Sequence, residues 1–143
     1  MSLTPRLKPV SPKGLAAPLA RYSPGIEVPA GARLVFVSGQ LGIDTDGATP
    51  EGAEAQAELC FAAIRAILAE ARMALSDIVR LNAYVTDEAY LADYMRVRDR
   101  HVAAPPPAST LMIVKGFSRP QFKVEVECVA AKVEGAASGT GFG

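Results

Sequence analysis

Val79, Leu81, Ala83 and Val85 alternate with Arg80, Asn82, Tyr84 and Thr86, the two-residue period of a strand with one apolar face. The alternation returns near the C-terminus, where Phe122, Val124, Val126, Cys128 and Ala130 share one face and Lys123, Glu125 and Glu127 the other. In "ARLVFVSGQLG" an apolar run from Leu34 to Val37 stops at Ser38 and Gly39, which predicts a strand leading into a glycine-permitted turn. "ASTLMIV" supplies a further strand, joined to the last by "KGFSRP", where Gly116 and Pro120 mark the connection.

Between these runs the period changes. Thr49 offers an N-cap hydroxyl, Pro50 suits the first helical position and Glu51 suits the positive end of the dipole, so a helix is predicted from there to about Arg72. Leu59, Cys60, Ala63, Ile64, Ala66, Ile67, Leu68 and Ala71 form one broad apolar face. Asp87 is read as the cap of a second helix, Glu88 to about Ala103, with Leu91, Tyr94, Val97 or Arg98, and His101 at three-to-four spacing before three prolines end it. Strand, helix, strand is a crossover, expected to be right-handed with its two strands parallel.

The elements add up to an α+β domain, a mixed sheet with two helices on one face. In Ser109 to Val114 both alternating sets are largely apolar, so the face without helices is expected to be covered as well. A second copy of the chain is the simplest cover, which predicts a symmetric homo-oligomer. Residues 1–19 and 134–143 lack a period and are expected to be flexible flanks of a domain over 20–133.

Composition narrows the function classes. The 143 residues are half apolar, enough for a core without metals or disulfides. Fifteen basic residues cancel fifteen acidic ones without any like-charge block, which argues against nucleic acid and anionic membranes as partners. The basic-looking "RVRDRH" is not one patch, since Arg96 and Arg98 are some 200° apart on a helix. "MSLTPRLKPVSPKG" has no apolar signal core and no span reaches the roughly 18 apolar residues of a membrane helix, so a cytoplasmic protein is expected. Cys60 and Cys128 read as buried thiols, and the absence of CxxC or a His cluster speaks against zinc.

"RYSPG" (21–25), "VFVSGQLG" (35–42), "DIVRLNAYVTD" (77–87) and "PPPASTLMIV" followed by "VEVECVA" together resemble, in order and spacing, the YjgF/RidA family, also called endoribonuclease L-PSP or translation-initiation-inhibitor proteins. The resemblance spans about residues 20–132. It implies a chorismate-mutase-like fold forming a homotrimer, with small-molecule clefts between subunits that hydrolyse reactive enamines and imines to a 2-keto acid and ammonia. It implies no metal or cofactor. Tyr22 matches the family's cleft tyrosine, Ser38 and Gly39 the turn whose backbone lines the cleft, and Glu125 the glutamate that activates water. The family's carboxylate-binding arginine falls on Ser109, and a helix-2 asparagine of the imine-hydrolysing members falls on Met95. A guanidinium gives a carboxylate two charge-assisted hydrogen bonds, whereas a serine hydroxyl gives one neutral bond.

Each candidate also has a plain structural reading. Glu125 is either a base raised by partial burial or part of a solvated Lys123/Glu125/Glu127 stripe. Glu127 reads as structural. Ser109 is a hydrogen-bonding group rather than a nucleophile, because His101, the only histidine, is expected at a helix C-terminus. Arg119, in "FSRPQF", is either a loop guanidinium that supplies the charge missing at 109 or an exposed arginine, and Lys115 is a less specific version of the same idea. The enzyme expected would hydrolyse or tautomerise a reactive enamine, imine or related C=N compound; a non-catalytic trimer that binds a metabolite or regulates a partner is the alternative, and RNA cleavage finds no paired His and Lys to support it.

Overall fold

The computed structural model of the chain describes residues 7–102 and 104–134. A four-stranded sheet is built from β3 (Arg33–Leu41), β4 (Ile78–Val85), β5 (Ala108–Ile113) and β6 (Val124–Lys132), in the order β3-β6-β4-β5. β6 runs antiparallel to both neighbours, whereas β4 and β5 are parallel and joined through helix α2 (Leu91–His101). The expected crossover is therefore present.

One sheet face carries the core. Leu81, Ala83 and Val85 of β4 and Val124, Val126, Cys128 and Ala130 of β6 are buried there under α1 (Ala53–Glu70) and α2. The α1 side of that core is Ala53, Ala57, Cys60, Phe61, Ile64 and Leu68, and α2 adds Tyr94 and Val97. The face is narrower than the broad stripe expected: Ala66 and Ile67 are exposed. α1 also begins later than expected, with Gly52 rather than Thr49 as its N-cap and no side-chain cap bond. Pro50 lies before the helix, where its carbonyl accepts a bond from the buried Gln56 side chain. Asp87 does cap, accepting from the Ala89 N–H, but it opens a 3₁₀ turn (Glu88–Tyr90) ahead of α2.

Among the described residues no helix covers the other face. Leu34 and Phe36 are 52% and 73% exposed, and Arg80, Asn82, Tyr84, Glu125 and Glu127 stand beside them on the neighbouring strands. Its margin is apolar and its middle is polar.

Ser38 and Gly39 do not end β3. Val37 pairs with Cys128 and Gln40 with Val126, so Ser38 and Gly39 together stand opposite Glu127 as a β-bulge, after which the strand continues to Leu41. The sequence signal for a turn is a local one, and pairing on β6 overrides it. The N-terminal flank expected to be flexible contributes β1 (Lys8–Val10), which pairs antiparallel with β2 (Gly25–Glu27), and its residues 1–6 lie outside the described residues. Most of the C-terminal tail expected to be flexible, from residue 135 on, lies outside the described residues.

Across the outer helix surfaces, Arg100 bonds Glu54 and Glu58, Arg96 bonds Glu54 and Asp93, and His101 Nε2 lies 2.7 Å from Glu58. These groups are largely exposed, so the network adds little stability while fixing how α2 lies on α1.

Candidate functional site

Glu125 is the first outward residue of β6, flanked in sequence by the fully buried Val124 and Val126. It sits on the helix-free face, level with Tyr84 on β4 and Leu41 on β3. Its carboxylate lies over the bulge: a Cβ built on Gly39 would stand 2.4 Å from Oε2. Partial burial, and then the neighbouring Glu127 carboxylate, push its carboxyl above the ordinary 4.5. Its field reaches the far side of the sheet, where burial and then Glu125 raise the Cys60 thiol to about 12. That thiol points at the Gln40 carbonyl, 3.1 Å away. Cys60 and Cys128 are both buried and free.

Glu127, two residues on, is held differently. It accepts from the Tyr84 hydroxyl at 2.6 Å and from the Asn82 amide at 3.3 Å. This bonding raises the Tyr84 phenol above its ordinary value, with lesser contributions from burial and the two carboxylates. Lys123 is not paired with either glutamate; its Nζ donates to the Glu51 carbonyl and lies over the Tyr90 ring. The Lys/Glu stripe anticipated as the plain reading is therefore absent: one glutamate is hydrogen-bonded and the other is the less satisfied of the two.

A buried side chain fixes where β6 begins. Gln56 donates through Nε2 to the carbonyls of Pro50 and Gln121 and accepts from the Lys123 N–H. Gly42 makes room for it, since a Cβ there would lie 2.6 Å from the Gln56 Cβ. Glu125 follows two residues after that anchor. Gln56 escaped the sequence reading, although an amide at a core-facing helical position is a visible signal.

The segments that carry Tyr22 and Ser109 meet elsewhere. The Ser23 N–H donates to the Pro107 carbonyl at 3.0 Å and its Oγ to the Pro106 carbonyl at 2.5 Å, strapping Tyr22 to the segment that opens β5. Ser109 is level with Leu81 and shares its side of the sheet, while Thr110 lies on the opposite face and accepts from Arg80 at 2.6 Å. Glu125 is level with Met112, three residues further along β5 than Ser109. That offset is about 10 Å along the strands and about 10 Å across two of them, on opposite faces. Within one chain, the Ser38–Gly39 bulge and Glu125 are brought together, the segment carrying Tyr22 is tied through Ser23 to Pro106 and Pro107 ahead of Ser109, and Ser109 and Glu125 are apart.

Arg119 is exposed in the connection between β5 and β6, at the end of the sheet where β6 starts, and forms no ion pair among the described residues. Met95 is partly buried against the core rather than free. His101 bonds Glu58 and Arg65 at the end of α2. Among the described residues no group of three or more His, Cys, Asp or Glu side chains is arranged to hold a metal ion.

Comparison with known proteins fits this geometry. The family model described as endoribonuclease L-PSP matches residues 14–132. Protein DfrA of Myxococcus xanthus is 34% identical over 116 residues, covering 76% of this chain and 83% of that protein. A protein of Escherichia coli named as a putative reactive intermediate deaminase, TdcF, is 26% identical over 116 residues, covering 78% and 86%. The crystal structure of YyfB from Yersinia pestis, described as a Rid-family protein of unknown function, superposes with a TM-score of 0.76 at 23% identity, covering 87% of this chain and 97% of that one. The sheet order, the helix-covered face and the match across 14–132 place the chain in the endoribonuclease L-PSP family, the YjgF/RidA proteins.

Proposed function

We propose that the protein is a Rid-type enzyme of the cytoplasm that hydrolyses a reactive enamine or imine, in clefts between the subunits of a homotrimer. The observation that supports this reading is the separation of Glu125, over the Ser38–Gly39 bulge, from Ser109 on the opposite face two strands away, so that in this reading the two share a cleft only across two copies. The apolar margin on the helix-free sheet face supplies a surface for that contact. Among the described residues no helix is long and apolar enough to cross a membrane.

In the proposed cleft, Glu125 acts as general base. It takes a proton from a water molecule as the oxygen adds to the C=N carbon and passes that proton to the nitrogen; the resulting carbinolamine then loses its hydroxyl proton through Glu125 to the same nitrogen, which leaves as ammonia and leaves C=O. An enamine first takes a proton at its β-carbon to become the imine. A carboxyl raised above 4.5 by burial and then by Glu127 is a stronger base than an ordinary carboxylate. Tyr22 and Ser109 hold the substrate, the Ser38–Gly39 backbone lines the cleft, and Arg119 supplies positive charge to a substrate carboxylate. No metal or cofactor is invoked in this chemistry.

The name of TdcF supports the reaction class, and Ser109 favours a second reading, a trimer that binds a metabolite without turning it over. One hydroxyl grips a carboxylate less firmly than a guanidinium would, by about 10- to 100-fold in affinity. Imines generated in situ by an amino-acid oxidase decide between the two. Faster keto-acid release with the parent protein than in buffer, lost in Glu125→Gln, supports the enzyme. Keto-acid binding without any acceleration supports the binding protein instead.

A further inference from the structure

Cys60 is fully buried on the helix-covered side of the sheet, in the middle of α1, and its thiol meets two strands at once. Its Sγ lies 3.1 Å from the Gln40 carbonyl and 3.9 Å from the Val124 carbonyl. Gln40 directly follows the Ser38–Gly39 bulge on β3, and Val124 directly precedes Glu125 on β6. A thiol has one hydrogen to donate, and it goes to the nearer carbonyl, that of Gln40. Burial and then the Glu125 charge push the thiol up to about 12, so the hydrogen is kept across neutral pH. A buried, protonated thiol is a poor nucleophile, and what it has to offer is a hydrogen bond. On the other side of the same stretch the Glu125 carboxylate lies over Gly39. The bulge is therefore held from beneath by the thiol and carries the carboxylate above.

We propose that Cys60 is a positioning residue for Glu125: it touches no substrate, and by holding the Gln40 carbonyl it fixes the bulge on which the carboxylate rests. The proposal rests on the reading of Glu125 as the general base. A bulge leaves its extra residue outside the regular ladder, so its backbone depends more on contacts from other elements than a fully paired strand does. Without the thiol the Gln40 carbonyl loses a buried donor, and the backbone moves toward another one. Gly39 moves with it, because the two residues share a peptide bond. The titratable and charged groups around Glu125 are Glu127 on its own strand, Tyr84 and Arg80 on β4, and Cys60 from α1. The neighbouring stretch of β3, Ser38 to Leu41, carries none. Cys60 is neutral, so replacing it alters no charge, and a change in the proton affinity of Glu125 then reports a change in its position.

The test uses the full-length protein with Cys60→Ala and Cys60→Val, which lack a donor, and Cys60→Ser, which keeps one. Two things are measured: the titration of the Glu125 carboxyl by carboxyl-carbon NMR, and kcat and KM on imines generated in situ. Both donor-free variants are expected to lower the Glu125 midpoint toward 4.5, as water reaches a carboxylate no longer held against the bulge. They should also lower kcat about tenfold, short of the roughly 100-fold cost of a 1 Å misplacement, and leave KM unchanged. Cys60→Ser should restore the midpoint and kcat. A midpoint that stays at the parent value in the donor-free variants overturns the assignment, and so does a kcat equal to that of an active parent. A midpoint that Cys60→Ser fails to restore overturns it as well, because packing alone then accounts for the change. Cys60→Ala leaves a small gap and Cys60→Val fills it, so if one does not fold the other decides. The titration needs no turnover: if the midpoint falls and returns as expected while the parent hydrolyses no imine, the hydrolase reading fails and the positioning of Glu125 by Cys60 stands.

Discussion

Glu125 rests on a residue with no side chain: a Cβ on Gly39 would meet its Oε2 at 2.4 Å and its Cδ at 2.8 Å. The collision is with the movable end of a flexible chain rather than with backbone, and Gly39 has no left-handed φ that an alanine would strain. Gly39→Ala should thus leave folding almost intact and push the carboxylate aside. A displacement of about 1 Å at a reacting group costs about 100-fold in rate. Turnover falling by that order with a melting temperature within a few degrees of the parent is the expected pair of results. Unchanged turnover would remove Glu125 from the chemistry.

The same carboxylate gives a pH signature. Burial and then Glu127 raise its folded-state pKa above 4.5, so the native protein holds a proton that the unfolded chain has already released. The associated stability is complete below the unfolded value and is lost as pH rises through the raised one. Glu125→Gln, which carries no charge to desolvate, should melt above the parent at pH 7 and level with it near about pH 3.5. The rate should follow the opposite course, rising with pH as the base ionises at a midpoint above 4.5. In Glu127→Gln that midpoint should move down, because one of the two causes is gone. Melting curves and a pH–rate profile check all three statements.

Gln56 holds the start of β6 with three hydrogen bonds from a fully buried amide. Gln56→Leu keeps the volume and strands two carbonyls and one N–H, each worth about 1 to 3 kcal/mol when buried without a partner. A loss of about 3 kcal/mol or more in chemical denaturation is expected. The Lys123 amide should exchange with solvent faster in the variant, since the Gln56 oxygen is its acceptor.

The covered side of the sheet was legible because burial imposes a period: Val79 to Val85 and Phe122 to Ala130 announce strands, and the parallel crossover between β4 and β5 follows from the helix between them. Helix ends were less legible, since Thr49 and Pro50 make a plausible local start that Gln56 overrides by drawing the Pro50 carbonyl to itself. The Ser38–Gly39 bulge was out of reach because register belongs to two strands, and only β6 shows that two residues face one. Ser109 and Glu125 could be named from the sequence, yet their placement on opposite faces follows from strand order, which alternation within a single strand does not encode.

Leu34 and Phe36 expose apolar surface on the helix-free face, Phe36 to 73%. A monomer gains nothing from them there, whereas a neighbouring copy would bury them. Phe36→Glu should accordingly leave the chain folded and break the assembly. Sedimentation of the parent should give roughly three times the 15.0 kDa of one chain, and the variant a species of chain mass. A parent that sediments as a single chain at micromolar concentration would end the interfacial-cleft reading.

Composite sites also permit rescue between two inactive proteins. Glu125→Gln removes the base and leaves Ser109 intact, whereas Ser109→Trp blocks its side of the cleft and leaves Glu125 intact. Each variant alone should be inactive. In a mixed oligomer, a cleft that takes Ser109 from the first variant and Glu125 from the second is entirely native. Random mixing of equal amounts makes about a quarter of the clefts of that kind. Co-expression of the two variants should recover activity near that fraction of the parent, and the recovery should vanish when Phe36→Glu is added to both chains. If the two groups instead served one another within a single chain, no mixture would contain a native site, and the co-expressed protein would stay as inactive as either parent variant.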